Sequence, residues 1–300
     1  MKWAEKCFSS LRKSSIPVHT IVVDNGSTDG TQDYVKTHFP EVDFIQSEQN
    51  LGFGKANNIG IERAYQQGAD FFYLMNQDAW IFENSFEEML KVYQSYPNKE
   101  EIGIISPMHL DGSEKNFDLH FERYLSKCTE KNRLFSDLYT ENFKTHYEID
   151  FVNAAHWLLP KNTVEKVGGF NPFFFYGAED YDYVNRLKFF NKKIIIATLS
   201  KVVHDAYQGF TKPYHTNAEK ARQESLRMQR ETRYLDLNYP LDIQREKKEF
   251  LNNIIKLRLK GHSKESKFYA EMRTYFNSKF EEILRLRSIA QNNNHAFLDL

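Results

Sequence analysis

Apolar positions fall into two regimes along this chain of 300 residues. Through roughly the first two thirds they form short unbroken runs that stop at polar tips; from residue 216 onward they recur at helical spacing. The clearest run is Phe71, Phe72, Tyr73, Leu74 and Met75, which ends at Asn76, Gln77 and Asp78. A short continuous apolar run with polar ends reads as a strand buried on both faces, the type found in parallel sheets. Its polar tip then opens at the carboxyl edge of the sheet, where open α/β folds bind ligands. Similar runs predict strands at 20–23, 44–45, 102–107 and 194–196, and the run 151–160 resumes the core. Between them, apolar spacings of three and four predict helices at 2–13, 31–38, from the 50–58 loop to about Gln67, at 84–96 and at 183–190. Strand and helix alternating at short spacing is the pattern of an α/β fold with right-handed crossovers. Residues 109–148 are polar, aromatic and irregular, and no element is assigned to them; a long insert of this kind is often functional. In the tail, Phe268, Met272, Tyr275, Phe276, Phe280, Ile283 and Leu284 mark a helical face.

Composition narrows the class. Net charge is -1 with a pI of about 6.8, which gives no footprint for nucleic acid. The balance is uneven: residues 216–300 carry 17 Lys and Arg against 12 Asp and Glu, a net of +5 that leaves -6 on the rest. Two cysteines, Cys7 and Cys128, argue for a reducing compartment without a disulfide framework. No apolar run reaches the roughly 18 residues of a membrane span, and residues 1–5 lack the basic-then-apolar layout of a secretory signal. The expectation is a cytoplasmic protein with a globular domain over 1–215 and a basic helical extension over 216–300.

Several polar groups stand where chemistry is possible. Asp78 is a hard oxygen ligand at a strand tip, suited to Mn2+ or Mg2+; the plainer reading is that Asn76 and Asp78 cap a turn. The strand at 20–23 ends at Asp24-Asn25-Gly26-Ser27-Thr28-Asp29-Gly30, whose glycines permit tight backbone. The 50–58 loop offers two more glycines and Lys55, a positive charge suited to phosphate. Glu179, Asp180 and Asp182 lie within four residues behind the aromatic run 173–176; a carboxylate there serves a base or merely caps the following helix.

Taken together, Val22 to Gly30, Asn50 to Gly60, Met75 to Asp78, Gly168 to Asn171, Glu179 to Asp182 and His204 resemble, in order and spacing, the family 2 glycosyltransferases of the GT-A fold. The likeness is strongest to rhamnosyltransferase-like and galactofuranosyltransferase-like bacterial members and covers about residues 1–210. It implies a GT-A, Rossmann-like, mostly parallel sheet flanked by helices, with the helical tail appended. It further implies inverting transfer of a sugar from a UDP- or dTDP-linked donor to a hydroxyl of a glycan or lipid-linked acceptor, in surface polysaccharide synthesis. By position, Asp180 matches the general base, with Glu179 beside it. Asp24, Asn25, Asn50, Lys55, Asn58, Asn76 and Gln77 match the nucleotide-sugar side. Asp78 and His204 match the metal ligands. His156, Trp157 and Asp182 are candidates for the acceptor side, against core packing for the first two.

Two departures stand out. The metal motif is commonly Asp-x-Asp or Asn-Pro-Asp, whereas Asn76-Gln77-Asp78 supplies one carboxylate. The family also opens with an apolar strand ahead of the first helix, and here Met1 already lies in that helix. A truncated start is therefore expected, with a bare edge on the strand at 20–23. A catalytically dead interaction protein and a sugar nucleotidyltransferase are the rivals; the second lacks its usual glycine-rich basic loop. The basic tail suits either packing on the domain or contact with anionic lipid on the inner membrane face.

Overall fold

In the computed structural model, described for residues 1–128, 132–206, 218–292 and 294–300, the apolar runs become strands and the periodic segments become helices. In chain order the elements are α1 (Ala4–Arg12), β1 (Ile21–Asp24), α2 (Thr31–His38), β2 (Asp43–Gln46), α3 (Phe53–Gln66), β3 (Phe71–Met75), β4 (Ala79–Ile81), α4 (Ser85–Ser95), β5 (Ile102–Leu110), α5 (Leu119–Ser126), α6 (Leu134–Tyr139), β6 (His146–Ile149), β7 (His156–Pro160), α7 (Lys161–Val167), α8 (Glu179–Phe189), β8 (Lys193–His204), α9 (Ala218–Leu235), α10 (Ile243–Leu259) and α11 (Ser263–Asn292). The class is mixed α/β, with a central sheet between helices and helices at the C-terminal end.

The strands form two sheets. β1 and β2 pair in parallel by themselves, and six strands form the other sheet in the order β3-β7-β5-β8-β4, with β6 also on β8. Among the described residues parallel pairing is confined to β1 with β2 and β5 with β8; the remaining pairings are antiparallel. The expectation of a mostly parallel sheet is thus corrected. The cause lies in β7, which follows the insert and runs back between β3 and β5, and in the short β4 and β6 that flank β8. β3 is an edge strand, so its side chains alternate between half-buried and buried instead of being buried on both faces. The bare edge expected near residues 20–23 is present: among the described residues β1 pairs with β2 alone.

The described residues of the insert at 109–148 include α5, α6 and β6. Phe121, Leu125, Cys128 and Leu134 from it are fully buried in one core cluster with Trp157, Phe170, Tyr183 and Leu187. A second cluster lies on the other side of the sheet, where Phe86, Met89 and Val92 of α4 meet Ile105, Ile195 and Val202.

The chain divides into two compact units, Met1–Thr211 with Asn294–Leu300, and Lys212–Asn293. The boundary expected at 215–216 lies outside the described residues, and the final residues, expected in the tail, return to the first unit. The return is fixed at Gly168, whose φ of +83° and contact with the Ala296 backbone exclude any side chain. In the second unit, Tyr234 of α9, Phe250 of α10 and Phe276 and Phe280 of α11 stack into a small core.

Candidate active site

Strand register gathers one cluster. β3 stops at Met75, opposite His156 of β7, and the chain turns through Asn76 and Asp78 into β4. Ala79 then pairs with His204 at the end of β8, and the Asp205 amide donates to the Asp78 carbonyl at 2.8 Å. Asp78 Oδ1 lies 3.7 Å from His204 Nε2, and Asn76 Nδ2 lies 3.4 Å from the same nitrogen. On its far side His204 Nδ1 lies 3.2 Å from Asp118 Oδ2. A carboxylate only accepts, so Nδ1 carries the proton and the Nε2 lone pair is turned toward Asp78. Asp118 is itself fixed, because Oδ1 accepts from the Phe121 amide and caps α5.

These atoms suit a hard divalent cation: a carboxylate oxygen and an imidazole lone pair converge on one point, and Asn76 presents its oxygen to it if the amide is turned over. The donor set is lean. Among the described residues no group of three or more His, Cys, Asp or Glu side chains is placed to hold a metal ion by itself, so further oxygens would have to come from a bound diphosphate. Asp118 is the residue that sequence reading missed. It sits in the insert left unassigned, and although Asp before an apolar helix start signals a cap, nothing local points to a histidine 86 residues away.

The second cluster lies at the start of α8. Ala178 holds a left-handed φ of 70°, a strained setting for a residue with a Cβ, and it aims Glu179 and Asp180 from the first turn. Asp180 is half-buried, and its Oδ1 accepts from the Tyr181 amide at 2.8 Å. Burial first, and the neighbouring Glu179 charge second, push its carboxyl up from 3.8 to about 7. Glu179 is buried with Oε2 lacking a hydrogen-bond partner, and burial raises its carboxyl as well. Burial, and after it the neighbouring Tyr181, Asp180 and Asp118, raise the Tyr124 hydroxyl. Tyr181 stacks on Phe151 with ring centroids 4.1 Å apart.

The glycine-bearing loops join each other. Asp24 is buried and accepts from the Ser27 amide and Gln46 Nε2, both at 2.9 Å. Asn25 accepts from Leu51 N and donates to Gly52 O, while Asn50 accepts from Gly52 N. Gly52, at φ +82°, presses on the Phe175 carbonyl, leaving no room for a Cβ. Lys55 and Gln77 are exposed, and Lys55 has no ion-pair partner among the described residues.

Burial places four of the candidate residues in the core, which for Trp157 and His156 is the core packing weighed against an acceptor role. Asn58 is 6% exposed; it donates to the Phe170 and Phe297 carbonyls and accepts from the Phe170 amide, so its amide clamps the fold and does not face a ligand. Asp182 lies two residues from Asp180, hence on the other side of the helix. It is buried against Arg186 Nε at 2.9 Å, with the guanidinium also donating to the Val167 and Gly169 carbonyls, and does not reach an acceptor. Trp157 is wholly buried against Phe170 and Tyr183. His156 is wholly buried too; its Nε2 donates to the Val203 carbonyl, so Tyr73 donates to Nδ1 at 2.7 Å. Burial brings its pKa down to about 3, which keeps it a neutral support beneath His204.

Comparison with known proteins bears on the family. The profile of "Glycosyl transferase family 2" matches residues 2–151, half of the chain. A dTDP-rhamnosyl transferase, RfbF, of Shigella flexneri is 24% identical over 187 residues, 62% of this chain and 59% of the relative's own length. Among solved structures, GalNAc-T7 with UDP, GalNAc and Mn2+ superposes with a TM-score of 0.49 at 12% identity, over 76% of this chain and 46% of that one. On the match that takes in β1, the strand tip at Asp78 and the insert that supplies Asp118, the chain belongs to glycosyl transferase family 2.

Proposed function

We propose that the chain transfers a sugar with inversion from a UDP- or dTDP-linked donor to a hydroxyl of a glycan or lipid-linked acceptor, in the making of a surface polysaccharide. The observation that carries the reading is the Asp180 carboxyl, half-buried at a strained helix start and held at about 7. A base poised near the working pH is what abstraction of a hydroxyl proton requires. In this scheme Asp180 accepts the acceptor proton as the alkoxide-like oxygen attacks the anomeric carbon. The bond from that carbon to the diphosphate oxygen breaks on the opposite face, so configuration inverts. Asp24 and its loop hold the nucleoside end, and exposed Lys55 is free to meet phosphate. Asp78 and His204 would hold Mn2+ or Mg2+ together with the donor; such an ion offsets the charge on the leaving diphosphate. The likeness to a dTDP-rhamnosyl transferase of Shigella flexneri favours a dTDP-sugar among the donors.

No described helix is long and apolar enough to cross a membrane. We place the protein in the cytoplasm, with peripheral contact between residues 216–300 and the inner membrane face, where a lipid-linked acceptor would lie. The test is a panel of UDP- and dTDP-sugars incubated with the full chain and Mn2+ or Mg2+, reading released nucleoside diphosphate. One donor should be turned over, faster with a hydroxyl acceptor present, and Asp180→Asn should remove the acceptor-dependent part. No release from any donor by a protein that melts cooperatively would point to an interaction-only relative instead.

A further inference from the structure

α10 has two faces of different character. Phe250 and Ile254 are buried in the core of the second unit. On the outer side Leu251, Ile255 and Leu259 stand four residues apart and are 42%, 48% and 84% exposed. Spacing of four puts them in one row along the helix. Lys248, Lys256, Arg258 and Lys260 are exposed around that row, and none has an ion-pair partner among the described residues. From Phe250 to Lys264 the sequence contains no acidic residue. Uncovered aliphatic side chains ringed by unpaired cations make neither a core face nor an ordinary solvated one.

We propose that this ridge is a docking surface for an anionic lipid bilayer, with Leu251, Ile255 and Leu259 entering the headgroup layer and the four cations meeting lipid phosphates. The inference deepens the membrane contact proposed above and rests on it, assigning that contact to one face of one helix. Charge complementarity selects the occupant. A second copy of the same ridge would bring like charges together around the apolar row. A nucleic acid would use the cations and leave the three aliphatic tips without a role. A bilayer takes both, the cations at the phosphates and the tips below them, while the buried face of α10 stays in its core.

The test uses the full chain and vesicles of phosphatidylcholine alone or mixed with phosphatidylglycerol. Two variants are compared: Leu251→Ser with Ile255→Ser and Leu259→Ser, and Lys248→Glu with Lys256→Glu and Lys260→Glu. All these side chains are exposed, so melting curves should match the parent. The parent should sediment with phosphatidylglycerol vesicles only, less so as salt shortens the screening length to about 3 Å at 1 M. Each variant should bind at least about tenfold more weakly, since several contacts are removed together. If the parent binds and both variants bind equally well, the contact lies elsewhere in the chain and the assignment to α10 is overturned while membrane contact stands. If the parent does not bind, both are overturned. A parent dimer that the serine variant abolishes, without vesicle binding, would make a second copy the occupant. Turnover of donor with a soluble acceptor should be the same in parent and variants, keeping this outcome separate from the transferase reading.

Discussion

The start of α8 and the paired loops at 24–30 and 50–58 look alike as sequence: each is a short polar stretch after an apolar run, carrying Asp, Asn or Glu. Folded, they differ in where their polar atoms go. In the loops and the α3 helix that the second one enters, Asp24, Asn25, Asn50 and Asn58 satisfy backbone groups of their own or of neighbouring segments. At α8, Glu179 keeps an unpartnered buried oxygen and Asp180 sits with its carboxyl at about 7. Internal hydrogen bonds make a polar residue part of the shape of a site. A polar residue whose proton affinity is displaced, and which is not neutralised by a partner, is available for reaction. The two regions should therefore respond differently to mutation, one in stability and the other in turnover.

The largest expected effect tests the boundary between the two kinds within α8 itself. Asp182→Ala leaves Arg186 charged, 1% exposed and without its carboxylate. Removing one partner of such a buried pair costs about 3–5 kcal/mol, a large part of a total stability of roughly 5–15 kcal/mol. Urea midpoints should fall steeply, and adding Arg186→Met should recover part of the loss. A single variant as stable as the parent would mean that the pair does not organise this helix. Asp180→Asn should do the reverse, lowering turnover by about a hundredfold or more with donor affinity kept.

The Asp180 carboxyl also gives a pH signature. Its folded value of about 7 exceeds the ordinary 3.8, so the folded chain binds this proton more tightly than the unfolded one. The resulting stabilisation is complete below about pH 4 and is lost as pH rises through 7. Asp180→Asn should then melt higher than the parent at pH 8, and the advantage should vanish toward pH 4. In the parent, kcat/KM should fall about tenfold per pH unit below 7 as the base is protonated. An activity profile flat from pH 5 to 8 would remove Asp180 from the role of base.

On the loop side, Asn58→Ala strands the Phe170 amide and carbonyl in the core. The cost should be about 1–3 kcal/mol, with kcat/KM of the remaining folded protein near the parent's. If the donor KM rises instead while the melting curve is unchanged, Asn58 faces ligand and the contrast between the two regions breaks.

Much of this was legible in the sequence because hydrophobic runs and helical spacing are local signals. β1, β3, β5, β8 and helices α1 to α4 lie where periodicity placed them. β4 and β6 were not seen: β4 has only three residues, and in β6 the polar His146 and Glu148 alternate with Tyr147 and Ile149, so no apolar run forms. Strand direction was misjudged because it depends on where a long connection lands: β7 returns from the insert antiparallel to β3. At the candidate site, motif order pointed to Asp78, Asp180 and His204, while the facing of each side chain was not readable. Asp180 and Asp182 carry the same chemistry two positions apart, and only the packing of α8 on Val167 and Gly169 decides which one is buried. The pairing of Asp118 with His204 joins residues far apart in the chain, so no local pattern contains it.

That pairing yields the smallest expected effect and the sharpest distinction, because Asp118 belongs to both kinds at once. One oxygen caps α5 and the other orients His204. Asp118→Asn keeps the cap, since Asn and Asp serve equally well at that position, and so isolates the second role. The carboxylate can only accept, which forces the proton onto His204 Nδ1 and leaves Nε2 open toward Asp78. An amide can also donate, and in that arrangement the proton moves to Nε2 and closes the face that Asp78 shares. Carboxylates behind a ligating histidine are worth about 10–100-fold in metal affinity. For this lean donor set the low end is expected, about tenfold or ~1.4 kcal/mol. Mn2+ titrated by water-proton relaxation in the presence of a nucleoside diphosphate should show that weakening, while the melting temperature moves by no more than the few degrees that ~1 kcal/mol produces. Asp118→Leu, which loses cap and orientation together, should show the same loss of affinity and a clearly lower melting temperature. Equal Mn2+ affinity in the parent and Asp118→Asn would mean that the histidine tautomer is set elsewhere, and Asp118 would then belong with Asn58 and Asp182 among the residues that only hold the fold.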